Sequence, residues 1–238
     1  VTSVQGVVHD VTDPNTWGPA LDEAVNTLRR GGLVVLPTDT VYGVAAEAFD
    51  PDAVAAVGAA KGRPGGDAPR IPVPVLIPEA RTLDGLATHV SADARALVAA
   101  FWPGHLTLIL DAQPSLLWDL GDAGGTVALR VPDHPAALAL LRRTGPLAVT
   151  GAQRAGGPAP LDVGAAREQL GDAVALYLDG GTLPGGASTV VDATTTPPRL
   201  VREGLVPLER LRSVVPAVVA PAVPDAETVP DAQTEAGA

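Results

Sequence analysis

The apolar positions of this chain change rhythm repeatedly, and each change predicts a new element. Over 20–30, Leu21, Ala24, Val25 and Leu28 recur at helical spacing, and Gly31-Gly32 supplies a stop. The next five residues are a short apolar run ending at Pro37, which predicts a buried strand. Asp50 reads as an N-cap with Pro51 in the first turn, giving a helix to about residue 60. Residues 71–77 read as a strand carrying prolines, expected at a sheet edge or entering its pairing late. Ser91 caps a helix that buries Ala94, Leu97, Val98 and Phe101. Strands are predicted over 106–110, 126–131, 147–150, 174–178, 188–192 and 199–202, with helices over 135–143 and 162–170 between them. Val4 to Val8 is a further strand candidate.

Helices and strands interleave, so the fold class is α/β. The intervals between strands are irregular, which favours a mixed sheet over regular parallel winding. Three segments follow. Residues 1–19 form an N-terminal extension or edge strand, 20–212 a single domain, and 213–238 a tail of Ala, Pro, Val and acid expected to be disordered.

Composition narrows the chemistry. The 238 residues suffice for one sizeable core, and Ala, Val and Leu must build it, because aromatics are 3%. There is no Cys, which excludes disulfides and thiolate metal sites. No apolar run has the length of a membrane span, and no basic segment followed by an apolar one opens the chain. The expectation is a soluble cytoplasmic protein with no membrane partner. A net charge of −11 argues against a broad nucleic-acid surface while leaving room for one positive cleft. Fifteen of the sixteen cationic side chains are Arg, and Lys61 is the single lysine. A compact ammonium among planar forks is a candidate phosphate partner.

Five stretches carry candidate chemistry. GLVVLPTDTVYG, ending at Gly43, delivers Thr38, Asp39, Thr40 and Tyr42 at the end of a strand, where they can hold a small polar ligand or merely satisfy a turn. Lys61-Gly62-Arg63-Pro64 opens a Gly/Pro-rich loop, where the two cations can grip a polyphosphate or cap a solvated helix end. In Phe101-Trp102-Pro103-Gly104 the aromatic pair closes a helix, and the neighbouring His105 reads as structural. Alternation in TVALRVP puts Thr126, Ala128 and Arg130 on one face. A guanidinium on an interior strand needs a partner, either a bound anion or an internal carboxylate. Residues 181–188 mimic a phosphate-binding loop, but Ala187 stands where Lys is needed and a strand follows instead of a helix, so that reading is rejected. Ser188 and Thr189 remain as polar candidates at the start of a strand, and Arg202 as a cation at a strand end. Asp119 and Asp122 are expected to be solvated, and no metal-ligand spacing is evident.

Taken in order, PTDTVYG, KGRP, WPG before LTL, TVALRVPDHP, a polar turn after LAV, LDGG, STVVD and VREG resemble the YrdC-like threonylcarbamoyl-AMP synthases over roughly 20–212. The resemblance implies a twisted mixed sheet with flanking helices and a deep concave cleft. It implies condensation of L-threonine, bicarbonate or CO2 and ATP to threonylcarbamoyl-AMP and pyrophosphate. Mg2+ would travel with the triphosphate, and no resident metal is implied. The product would pass to a transferase complex acting on adenosine 37 of tRNA, with local RNA contact an open question. Threonine contacts are implied at Thr40, Arg130 and Ser188, and nucleotide contacts at Lys61, Arg63, Thr126, Thr150, Gln153 and Arg202, with Lys61 and Arg63 catalytic. One departure stands out. The family shows Ser-Ala-Asn where this chain has Gly151-Ala152-Gln153. Loss of the hydroxyl keeps a catalytically weakened nucleotide- or RNA-binding paralogue as the alternative. A carbamoyl-adenylate enzyme driven by carbamoyl phosphate is a further one.

Overall fold

In the computed structural model, which describes residues 6–63 and 70–221, period-2 alternation decides which layer each strand side chain joins. The elements in chain order are β1 (Val7–Asp10), α1 (Gly18–Arg29), β2 (Val34–Leu36), β3 (Gly43–Glu47), α2 (Pro51–Ala60), β4 (Val75–Leu76), α3 (Leu83–Leu86), β5 (Ala87–Thr88) and α4 (Ala92–Phe101). There follow β6 (Leu106–Ala112), β7 (Thr126–Arg130), α5 (Pro135–Thr144), β8 (Leu147–Gly151), α6 (Val163–Leu170), β9 (Leu176–Asp179), β10 (Thr189–Asp192), β11 (Arg199–Arg202) and α7 (Leu208–Val214).

The strands form one mixed sheet in the order β1-β9-β2-β3-β8-β4-β7-β6-β10-β11, with β5 paired to β6. Val34 and Leu36 of β2 meet α1 and α5, where Leu21, Ala24, Leu28, Ala137, Leu140 and Leu141 form one apolar layer. Val35 points the other way, onto Ala53 and Val57 of α2 and Ala166 and Leu170 of α6. A third cluster joins β6, β7 and β10 to α4 and α7 through Leu97, Leu106, Leu108, Leu129, Val191 and Leu211. Helix starts follow the capping chemistry. Asp50 accepts from the amides of Asp52 and Ala53 at 3.1 Å each, Ser91 from Ala94 at 3.1 Å, and Asp162 from Ala165 at 2.8 Å.

The structure decides between the two readings of the proline-bearing stretch 71–77: it enters its pairing late, and it is no edge. Its pairing begins only after Pro74, and β4 lies inside the sheet between β8 and β7, where two residues without proline make the ladder. β3 was not anticipated, because Val44 is its one β-branched residue, yet it is central and pairs on both sides. Residues 213–221, assigned by composition to the tail, pack on the domain. Val215 and Val218 are buried, and Val219 bridges to Arg199. The rest of that segment, 222–238, lies outside the described residues, as do Pro64 to Pro69 of the Gly/Pro-rich loop. Asp119 is half-buried and Asp122 exposed, and both are engaged. Asp119 holds the Arg70 guanidinium with two bonds of 2.8 Å, and Asp122 accepts from the Arg70 amide. Among the described residues no helix is long and apolar enough to cross a membrane.

β10 is locked to the following segment by Thr189, which is fully buried. Its hydroxyl donates to the Val206 carbonyl at 2.6 Å and accepts from the amides of Gly204 and Val206 at 2.9 and 3.0 Å. Thr189→Val keeps the shape and leaves those buried groups without a partner. It should lower unfolding free energy by about 2–4 kcal/mol in urea titrations.

Candidate functional site

The hairpin between β2 and β3 brings polar groups into the apolar layers. Leu36 pairs with Gly43, so residues 37–42 form a compact excursion from the sheet. Its geometry is held from within. The Thr38 hydroxyl donates to the Val41 carbonyl at 2.7 Å and accepts from the Thr40 amide at 3.2 Å. The Tyr42 hydroxyl donates to the Gly181 carbonyl at 2.7 Å and accepts from the Gly180 amide at 3.0 Å. Burial pushes the Tyr42 phenol well above its usual range, so it stays a neutral brace. Tyr42 is therefore structural. Thr40 receives a further tie, since its carbonyl accepts from the Gly185 amide at 3.0 Å.

Arg130, at the end of β7, projects beneath this excursion and is 7% exposed. Its partner is an internal carboxylate. Nη2 donates to Asp39 Oδ1 at 2.5 Å, Nε to the Gly104 carbonyl at 2.8 Å, and Nη1 to Thr40 Oγ1 at 3.3 Å. These bonds use three of the five N–H groups a guanidinium carries. The other Asp39 oxygen is buried and makes no hydrogen bond, although His105 Nε2 stands 3.3 Å away as an ion-pair neighbour. The same His105 nitrogen lies 3.2 Å from the Asp39 carbonyl, in keeping with a structural role. His134, at the start of α5, has its imidazole pKa lowered by burial, with Asp39 and Asp133 opposing.

A hollow of about 270 Å³ opens beside this pair. Thr40, Arg130, Thr150, Gln153, Ser188 and Arg202 all line it, so six of the residues singled out in the sequence share one wall. Ser188 and Arg202 form a unit: the Arg202 Nη2 donates to the Ser188 carbonyl at 2.9 Å and to its hydroxyl at 3.2 Å. The two candidates are thus in direct contact along the wall of the hollow. Thr107 was missed. It is buried, lines the hollow and donates to Ser188 Oγ at 2.9 Å. A lone Thr in the apolar strand LTLIL was the available signal.

Lys61 stands just outside the hollow. It closes α2, is 3% exposed, and donates through Nζ to the Gly151 carbonyl in the wall. This is no solvated helix end. Burial first, and the neighbouring Arg63 charge second, bring its ammonium down to about 8. Arg63 is half-buried, and its Nε has no partner among the described residues. Thr126 is not gathered in. It sits at the opposite end of β7 from Arg130, and its hydroxyl donates to the Ala123 carbonyl at 2.7 Å in its own turn.

Comparison with known proteins puts names beside this geometry. The Sua5–YciO–YrdC family model, described as telomere recombination, matches residues 26–204. A Mycobacterium tuberculosis protein provisionally named threonylcarbamoyl-AMP synthase is 50% identical over 207 residues, covering 87% of this chain and 94% of its own length. The Bacillus subtilis threonylcarbamoyl-AMP synthase is 39% identical over 210 residues, 87% of this chain and 60% of that protein. Among solved structures, P. abyssi Sua5 complexed with L-threonine superposes with a TM-score of 0.82 at 33% identity. That match covers 90% of this chain and 62% of the Sua5 chain.

Removing the charge opposite Arg130 tests the central pair. Asp39→Asn leaves a buried guanidinium without its counter-charge and should cost about 3–5 kcal/mol of stability, read by chemical denaturation.

Proposed function

The chain belongs to the Sua5–YciO–YrdC family, and from that premise we propose that it is a threonylcarbamoyl-AMP synthase. It joins L-threonine, bicarbonate or CO2 and ATP, and releases pyrophosphate. The observation that carries the reading is the convergence of Thr40, Arg130, Ser188 and Arg202 on one hollow whose wall is gripped from outside by Lys61. The threonine-bound relative supports a hollow of this kind as an amino-acid site.

In this reading the threonine amine adds to CO2, or to bicarbonate with loss of water, to give an N-carboxylate. A carbamate oxygen attacks the α-phosphorus of ATP, the bond to the bridging oxygen breaks, and pyrophosphate leaves with those electrons. The protein positions groups and stabilises charge. The two N–H groups of Arg130 left over from its internal bonds take the threonine carboxylate. Thr40 and Ser188 fix the substrate's hydroxyl and amine ends. Lys61 and Arg63 neutralise phosphate oxygens as charge moves to the leaving group. Thr150, Gln153 and Arg202 border the nucleotide. Mg2+ arrives on the triphosphate as part of the substrate. Residues 20–212, extended by the packed segment to 221, form the synthase domain, working in the cytoplasm and delivering its product to a tRNA-modifying transferase.

Lys61→Ala should abolish threonine-dependent pyrophosphate release while leaving the circular dichroism spectrum intact, and wild-type turnover would remove Lys61 from the reaction. In the free protein the needed ammonium is present below pH 8 and lost as pH rises through about 8. Initial-rate profiles at low ATP should therefore fall on that alkaline side. Stability has the opposite sign, because the folded state binds this proton less tightly than the unfolded chain. The stability linked to Lys61 thus grows from about 8 up to the ordinary 10.5.

Arg130→Gln should raise the threonine KM by about a hundredfold, with ATP affinity changing far less. Titration of each substrate separately distinguishes this from general damage to the site.

A further inference from the structure

Gly151 is a glycine for want of room, not of conformation. It lies in the ladder opposite Gly43 and is absent from the residues with positive φ. A Cβ added there would stand 2.2 Å from Gln153 Oε1, 3.0 Å from its Cδ and 3.1 Å from its Nε2. Every atom of that obstruction is the carboxamide of one side chain. The turn beneath it is fixed, because Ala152 is buried and its amide donates to the Tyr42 carbonyl at 2.8 Å. Gln153 has therefore folded its head group into the volume that a side chain at 151 would fill.

That head group borders the hollow, and its Oε1 is buried with no hydrogen-bond partner among the described residues. Buried acceptors are costly unless a donor arrives, and a bound substrate is the available source. The neighbouring Gly151 carbonyl is already taken by the Lys61 ammonium.

We propose that Gly151 and Gln153 act as one coupled unit, in which the Gln153 carboxamide replaces a side chain at 151 and accepts an N–H or O–H of the bound substrate. This rests on the synthase reading for the identity of the substrates. Both the nucleotide and the amino acid carry such donors. The coupling itself is a property of the chain alone: a side chain at 151 displaces the Gln153 carboxamide, and a shorter residue at 153 removes that conflict.

The test is a double-mutant cycle on the full chain. Gly151→Ser forces the amide out and should lower pyrophosphate release about tenfold, and Gln153→Asn, one methylene short, should do the same. The double substitution G151S/Q153N, in which the shorter amide clears room for the serine, should return to within about threefold of wild type. Losses that multiply to about a hundredfold would overturn the coupling. Urea unfolding of the same four proteins reads the coupling without any ligand. There, G151S should be the least stable, the double should recover, and additive changes would again count against it. Gln153→Leu keeps the bulk and removes the acceptor. Calorimetry should show about tenfold weaker binding of ATP if the nucleotide is the donor, or of threonine if the amino acid is. Unchanged affinity for both would overturn the contact. A wild-type protein that binds neither ligand and releases no pyrophosphate would refute the synthase reading and the substrate contact with it, leaving the unfolding cycle to judge the coupling alone.

Discussion

The Asp39–Arg130 ion pair is the constraint around which the site is built. Two charges held at 2.5 Å in a buried setting are worth keeping only when their remaining atoms are also engaged. Here the guanidinium is tied to Gly104 and Thr40 as well, so the hairpin after β2, the turn after α4 and the end of β7 share one anchor. The hollow beside it inherits that rigidity. Polar residues around it are fixed in place: Ser188 by the Arg202 and Thr107 side chains, Thr38 by backbone groups of its own turn, and Tyr42 by backbone groups at Gly180 and Gly181.

Charge inside the molecule is arranged against the net balance of the chain. An overall charge of −11 is spread on the surface. Lys61 and Arg63 are drawn inward, where each disfavours the ionised state of the lysine through burial and repulsion. A perturbed group of this kind beside a hollow is what a functional site requires.

Much of this was legible in the sequence, for reasons that differ by residue. The two-residue rhythm of TVALR put Arg130 on a single face, and the need of a buried cation for a counter-charge left two possible partners, of which Asp39 is the one present. The uniqueness of Lys61 was visible in composition, but the carbonyl it would seek was not, because Gly151 lies 90 positions away. Thr126 shares that face with Arg130 but not the hollow. Sharing a face does not mean sharing an end, and a five-residue strand separates its termini by about 13 Å. β3 escaped notice because Gly-Val-Ala-Ala-Glu owes its strand state to partners on both sides and little to intrinsic preference. Val215 and Val218 were hidden by the Ala/Pro composition around them, which resembles a solvated tail until their burial is seen.

The sheet order has a temporal consequence. β1 pairs only with β9, and β2 takes β9 as a neighbour as well, so strands from the opening of the chain wait for one made about three-quarters of the way along it. The hollow's lining runs from Thr38 to Arg202. During synthesis, therefore, no partial chain that stops before Arg202 carries the whole lining, and β1 has no partner strand until β9 emerges. Such non-local topologies fold slowly. For this molecule, the hollow is assembled by late strands joining early ones.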